Sequence, residues 1–347
     1  MVEKFSKFKG QINTKYAENK LDLINRKILY LLSHNARYGC NSIAKSLKIS
    51  REVVAYRIKR MEEENFLEGF FSLIDVSKMG YQMHMLYLKL YNTSKYDEIL
   101  RELDNNSHVT RLKELAGSYD LQLIVSSKNI HKTDEIIDDI LGKFGDKIKD
   151  YIVLRIVEEN YMGLDLLLTE EERKLVKIKE SKGSSFQKEF EEREADNKTI
   201  EIDKKDNQIL NIIHLDARAS IKEISEKINL APISVENRLK KLIKQGVIKS
   251  MYPLFNIGQL GYQWYKVLFQ VKNINKIQFL EYLKQHDNVL WYMKLIGKWN
   301  YQFSVFAKGN AEFHKILDDI RNTFSDNIIS YDSIIVLNQQ KFVHLLS

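Results

Sequence analysis

Residues 22–29, Asp22-Leu-Ile-Asn-Arg-Lys-Ile-Leu29, return 181 positions later as Asp203-Lys-Lys-Asp-Asn-Gln-Ile-Leu210. The same offset pairs Ala36-Arg37 with Ala217-Arg218, Arg57 with Arg238, Lys59 with Lys240, and Gly80-Tyr81-Gln82 with Gly261-Tyr262-Gln263. Past a one-residue deletion the offset becomes 180, and Gly117 meets Gly297, Asp138-Asp139-Ile140 meets Asp318-Asp319-Ile320, and Tyr151 meets Tyr331. Order and spacing that persist over this span mark a duplication. The 347-residue chain is therefore a unit of roughly 140 residues present twice.

Each copy reads in two parts. In the first part of copy one, Leu23, Ile24, Ile28, Leu31 and Leu32 recur at helical spacing. A short second helix carries Ile43, Ala44 and Leu47, and Ser50 caps a third whose buried stripe is Val54, Ile58 and Met61. Phe66-Leu67 and Phe70–Ile74 read as the two short strands of a hairpin. Copy two repeats the plan with Ile209, Leu210 and Ile213, then Ile224 and Ile228, then Val235, Leu239 and Leu242. Pro232 suits the first turn of its third helix, and Gly246 stops it where copy one has Asn65. Three helices and a two-strand flap form the winged helix-turn-helix plan. Residues 20–69 hold ten bases and six acids, and residues 201–250 hold ten and seven, so the two helical modules carry +4 and +3. Together they account for the net +7 of the whole chain. Positive charge confined to these modules is what neutralising DNA phosphates requires.

The second part of each copy alternates strand and helix in the order βαββαβ. Copy one reads as Tyr81–Tyr91, a helix near Lys95–Leu103, two strands meeting at Gly117-Ser118-Tyr119-Asp120, a helix ending at Phe144, and Ile148–Val157. Copy two reads as Tyr262–Val271, Ile277–His286, a turn at Gly297-Lys298-Trp299-Asn300, Phe313–Phe324 and Ile328–Leu337. This is the ferredoxin-like plan, an antiparallel sheet with both helices on one face. Tyr87, Leu88, Leu123 and Val125, with Leu268, Phe269, Phe303 and Val305, predict that the open faces of two such sheets pair. The expected class is α+β: a basic tail at 1–20, winged helices at 21–75 and 201–257, ferredoxin-like (ACT-like) modules at 80–160 and 261–340, and a charged linker at 161–200. From Glu170 to Lys198, 17 of 29 residues are charged. Thr169 and Glu172 form a capping box there, and a break is expected at Gly183-Ser184-Ser185. The stretch reads as a solvated tether, with an arm that packs on a neighbouring subunit as the alternative.

Composition narrows the rest. Hydrophobic residues at 44% suffice for ordinary cores, and 18 Tyr with 16 Phe and two Pro argue against disorder. The single Cys40 excludes a disulfide framework and a multi-thiolate metal site. No apolar run approaches a membrane span and the N-terminus lacks a signal-peptide pattern, so a cytoplasmic protein is expected.

A winged helix joined to a βαββαβ module resembles the leucine-responsive regulatory protein / AsnC (Lrp/AsnC) family of transcriptional regulators. The resemblance rests on Leu21-Asp22, Asn35-Ala36-Arg37, Ile43-Ala44, Ser50 through Arg57-Ile58-Lys59-Arg60-Met61, Phe66-Leu67-Glu68-Gly69-Phe70, Gly80 and Ala116-Gly117-Ser118-Tyr119-Asp120. Copy two departs more, with Ala231 for the capping serine, Ser250 for the wing glycine and Trp299-Asn300 for the Tyr-Asp pair. The resemblance implies binding to double-stranded DNA, self-association through the βαββαβ sheets, and an amino-acid-like effector held near Gly117, Ser118, Tyr119 and Asp120. Tandem fusion adds two unlike reading heads, and hence two unlike half-sites.

In copy one the outward face of the third helix offers Arg51, Tyr56 and Lys59 for base edges, with Ser50 and Arg60 suited to phosphates. In copy two Asn237, Lys240 and Lys241 take those roles. Arg57 and its repeat Arg238 border the buried stripe and read as partners in an internal ion pair. The lysine-rich tail (Lys4, Lys7, Lys9, Lys15) reads as a disordered end. Siroheme decarboxylases share the two-part architecture and also occur as fused chains, but Lys113-Glu114-Leu115-Ala116-Gly117-Ser118-Tyr119 lacks the histidine that such a site would need. The eight histidines are scattered, no phosphate loop or dinucleotide turn is present, and neither a cofactor nor catalysis is expected. An architectural DNA-compacting protein is the remaining alternative, distinguished from a regulator by its specificity ratio.

Overall fold

In the computed structural model the structure describes residues 21–91, 96–178, 186–192 and 198–343. Copy one runs α1 (Leu23–His34), α2 (Cys40–Leu47), α3 (Arg51–Glu63), β1 (Leu67–Ile74), β2 (Gln82–Leu90), α4 (Tyr96–Asn105), β3 (Val109–Ala116), β4 (Leu121–Ser127), α5 (Ile130–Phe144) and β5 (Ile148–Tyr161). Two short helices, α6 (Glu170–Lys174) and α7 (Gln187–Glu191), lie between the copies. Copy two runs α8 (Lys204–Leu215), α9 (Ile221–Ile228), α10 (Pro232–Lys244), β6 (Ile248–Phe255), β7 (Gln263–Val271), α11 (Lys276–Lys284), β8 (Val289–Ile296), β9 (Tyr301–Ala307), α12 (Asn310–Thr323) and β10 (Ile328–Phe342). These elements form two compact units: a head unit from residues 21–80 and 163–256, and a barrel unit from 81–162 and 257–343.

In the head unit the helices begin where short polar side chains satisfy the first free amides. Asp22 accepts from Asn25 N, Ser50 from Val53 N, and Asp203 from Asp206 N. Recognition helices α3 and α10 both stop at a left-handed residue, Asn65 with φ 58° and Gly246 with φ 73°. Val54, Ile58 and Met61 are buried on α3, as are Val235, Leu239 and Leu242 on α10.

The flap departs from expectation. Each copy supplies one strand, not a hairpin, and β1 pairs antiparallel with β6 of the other copy, Phe71 opposite Tyr252. Phe66-Leu67 and Phe70–Ile74 could not close on each other, because the extended stretch continues through Glu68 and Gly69 and finds its partner 181 residues away. The two heads then exchange further contacts about this ladder. Ala36 N donates to Met251 O and Ala217 N to Phe70 O, both at 2.9 Å. Arg37 donates to the carbonyls of Ala217 and Ala219 (2.7 and 3.0 Å), while Arg218 donates to those of Ala36 and Tyr38 (2.6 and 3.2 Å). The repeated Ala-Arg dipeptide is thus a reciprocal clamp. Burial, reinforced by the facing Arg218, lowers the Arg37 guanidinium to about 10.

The linker does not hang free. Arg26 donates to Leu167 O at 3.0 Å, Ser46 donates to Lys177 O at 3.0 Å, and Val176 and Phe186 are buried. The capping box at Thr169 and Glu172 is present. Its described parts pack on the heads of the same chain, in place of the solvated tether expected there. The break at Gly183-Ser184-Ser185 and the basic tail at 1–20 lie outside the described residues.

In the barrel unit each copy forms a four-stranded antiparallel sheet, β3-β4-β2-β5 and β8-β9-β7-β10. The sheets join edge to edge through β5–β8 and β10–β3, closing an eight-stranded barrel. Apolar residues fill three layers. Leu88, Leu123 and Val125 pack under the helices of copy one, and Phe269, Phe303 and Val305 under those of copy two. Tyr87 and Leu268 point the other way, into the barrel, with Met85, Ile124, Leu154, Met293 and Trp299. The face-to-face core predicted from eight residues is therefore carried by two of them, since adjacent strand residues point to opposite faces.

Candidate nucleic-acid interface

The buried stripe of α3 turns Arg51, Tyr56, Lys59 and Arg60 outward, and Tyr56 is 63% exposed. Ser50 is exposed as well; its oxygen caps the helix at 3.2 Å from Val53 N, and its hydroxyl donates to the Glu52 carboxylate, a bond that a phosphate would have to replace. Lys59 lies 3.5 Å from Glu63, and the Arg60 Nε–H donates to Glu64 at 2.7 Å. Both pairs are solvent-exposed i,i+4 contacts worth at most about 1 kcal/mol, so a phosphate competes for them easily.

On α10, Asn237 and Lys241 are exposed. Lys240 is half-exposed and sits 2.8 Å from Glu236. Helix α7 brings more acid: Glu192, just past its end, lies 3.1 Å from Lys244, and Ile233 is 62% exposed on α10 as Val53 (39%) and Tyr56 are exposed on α3. Sequence inspection missed Lys244 and the acids of α7. The only available signal was the charge density of 170–198, which does not say where the stretch folds back.

Arg57 and Arg238 are not at this surface's disposal. Arg57 donates to Asp22 (2.6 Å) and Asn25 (2.9 Å), and Arg238 donates to Asp203 and Asp206, both at 2.7 Å. These ties fasten the recognition helix of each head to its first helix, matching the internal-ion-pair expectation.

The four turn residues in the barrel unit are all engaged. Gly117 has φ +135°, and Ser118 Oγ donates to Asp332 at 3.0 Å. Tyr119 is buried against Tyr87, with ring centroids 5.1 Å apart. Asp120 accepts from Lys89 Nζ at 3.0 Å and from Leu90 N at 2.7 Å. In copy two Asn300 makes the corresponding contacts to the backbone N–H and carbonyl of Val271. The turn is a tie between neighbouring strands in both copies.

Among the described residues, no group of three His, Cys, Asp or Glu could hold a metal ion, and no helix is long and apolar enough to cross a membrane.

The family model for winged helix-turn-helix DNA-binding modules matches residues 21–68 and again 202–249. The HTH-type transcriptional regulator Ptr1 of Methanocaldococcus jannaschii is 32% identical over 124 residues, 36% of this chain and 78% of that protein. LrpB of Bacillus subtilis, also an HTH-type transcriptional regulator, is 24% identical over 144 residues, 41% of this chain and 94% of that one. Both relatives are single-unit proteins by this measure, each aligning with about one copy. A crystal structure of the siroheme decarboxylase NirDL, 13% identical, superposes with a TM-score of 0.61 over 93% of this chain and 94% of that one. A second structure of it, in complex with an iron-uroporphyrin III analogue, gives 0.59 at 12% identity. That likeness concerns the fold, but it corrects one expectation: the duplicated architecture is one on which an enzyme is built, so absent motifs do not exclude catalysis here.

Proposed function

Because the chain belongs to the Lrp/AsnC family of HTH transcriptional regulators, we propose that it grips a DNA operator with two unlike heads, α3 in one major groove and α10 in another. The observation that carries this is the difference between two exposed helix faces built on one clamped head unit. One face offers Arg51, Tyr56 and Lys59 to base edges, with Ser50 and Arg60 on phosphates. The other offers Asn237 to adenine, with Lys240 and Lys241 on guanine or phosphate. Sequence-specific regulation rather than compaction follows from side chains suited to base edges on both faces. An effector at Gly117–Asp120 would have to displace Lys89 from Asp120 or Asp332 from Ser118.

Selection of bound sequences from a random duplex pool tests the assignment. Wild type should recover a bipartite, non-palindromic site. Lys59→Ala and Lys240→Ala should each relax a different half, weakening binding by about 1–3 kcal/mol where a base contact is lost. If both substitutions relax the same half, the two-head arrangement is wrong.

The end-to-end fold likeness supports a second reading, a tetrapyrrole-binding enzyme of the siroheme decarboxylase kind. Titrating siroheme with the purified chain separates the two. A shifted absorption band with loss of substrate carboxylate favours the enzyme, and an unchanged spectrum removes it.

A further inference from the structure

The two halves of the barrel interior have diverged at several positions, and at two of them methionine and lysine change places. Met85 of copy one is matched by Lys266, and Lys113 by Met293. Strand registers confirm the equivalence: Lys113 lies opposite Gln122 as Met293 lies opposite Gln302, and Met85 lies opposite Ile124 as Lys266 lies opposite Ser304. The fold thus accepts methionine at both kinds of position, and neither lysine is needed to build it.

Both lysines gather at one place. Lys266 Nζ donates to Gln122 Oε1, and Lys113 is the neighbour of Gln122 on the adjacent strand. Their ammonium groups lie 5.2 and 5.8 Å from the centroid of the Trp264 ring. The indole Nε1–H of Trp264 is buried without an acceptor. Lys113 and Lys266 are 4% and 2% exposed. Glu159, the carboxylate that acts on both, is held bidentately by Arg111 at 2.5 and 2.8 Å. Among the described residues neither ammonium has a carboxylate partner. Buried charge of one sign is costly unless it is neutralised or meets an anion.

We propose that the barrel interior beside Gln122 binds a small organic carboxylate, clamped between Lys113 and Lys266 over the face of Trp264. The Trp264 face and Met85, whose sulfur meets Gln122 Nε2 at 2.8 Å, supply an apolar wall. That wall selects a ligand with a short hydrocarbon part over a bare inorganic ion. The site does not depend on DNA binding.

The test uses the full chain titrated with propionate at constant ionic strength, with chloride and phosphate in parallel, followed by tryptophan fluorescence and thermal melting. Propionate should give a saturable fluorescence change and a raised melting temperature. The response should weaken by at least about tenfold in Lys113→Met and in Lys266→Met, the loss expected for one charge-assisted hydrogen bond. Both variants should fold, because each installs the residue its sister position carries, and Lys266→Gln provides a polar check. Trp264→Phe should remove the fluorescence change while Trp291 and Trp299 remain. An undiminished response in the lysine variants, no saturation in wild type, or an equal response to chloride and phosphate would overturn the assignment.

Discussion

Buried cations set the behaviour of single residues here. Desolvation holds the Lys113 amine down to about 7, Arg111 pushes the same way and Glu159 opposes. An unfolded lysine titrates near 10.4. The unfolded chain therefore binds more protons between these values, and stability should rise with pH across that window. The protonation penalty is complete below about 7 and gone above about 10. The contribution is at most about 1.4 kcal/mol per pH unit for this group. Urea midpoints of wild type and Lys113→Met at successive pH values between these limits should converge as pH rises, and parallel curves would refute the shift. Lys266 is displaced in the same direction by burial and by Lys113, so its own Met variant should behave likewise. Arg37 makes a different expectation. Arg37→Ala removes two hydrogen bonds and leaves the Ala217 and Ala219 carbonyls unmet, so the melting transition should fall by the equivalent of about 2–4 kcal/mol. Sequence alone flagged the Ala-Arg repeat, yet its role was invisible, because the acceptors are backbone carbonyls 180 and 182 residues distant.

At the level of elements, periodicity and capping residues located most helices and strands to within a few positions. Ser50 does cap its helix, and Asn65 and Gly246 do end theirs, whereas the Asp203 cap went unread. The misses share one cause. Strands β5 and β10 were expected to end at Val157 and Leu337 but continue to Tyr161 and Phe342. The added residues pair with the other copy, Tyr161 opposite Trp291 and Phe342 opposite Arg111. A pattern read along one segment cannot report a ladder formed with a distant one. The flap failed for the same reason. Of the candidate site, the outward residues of α3 and α10 were legible from helical spacing, whereas the acids of α7 beside Lys240 and Lys244 were not. The turn between β8 and β9 gives a sharp expectation at this scale. Gly297 has φ +135°, and a Cβ there would meet Leu154 Cδ2 at 2.7 Å. Gly297→Ala should destabilise by about 1–3 kcal/mol, measured by chemical denaturation, through both strain and the crowding of a buried neighbour.

For the whole molecule, duplication converts what two identical subunits would do into something one polypeptide does asymmetrically. Charge follows the heads, +4 and +3, while the remaining residues sum to zero, so DNA affinity should fall steeply with added salt. Log affinity against log salt should be linear, and Lys241→Ala should flatten its slope by about one without altering the recovered sequence, as expected of a phosphate contact. The β1–β6 ladder has a further effect on occupancy. Two-chain binders dissociate on dilution, so their grip on an operator collapses once subunits become scarce. Here the partner head is supplied by the same translation event, and its local concentration never drops. A cell holding only a handful of copies would keep every one of them fully armed.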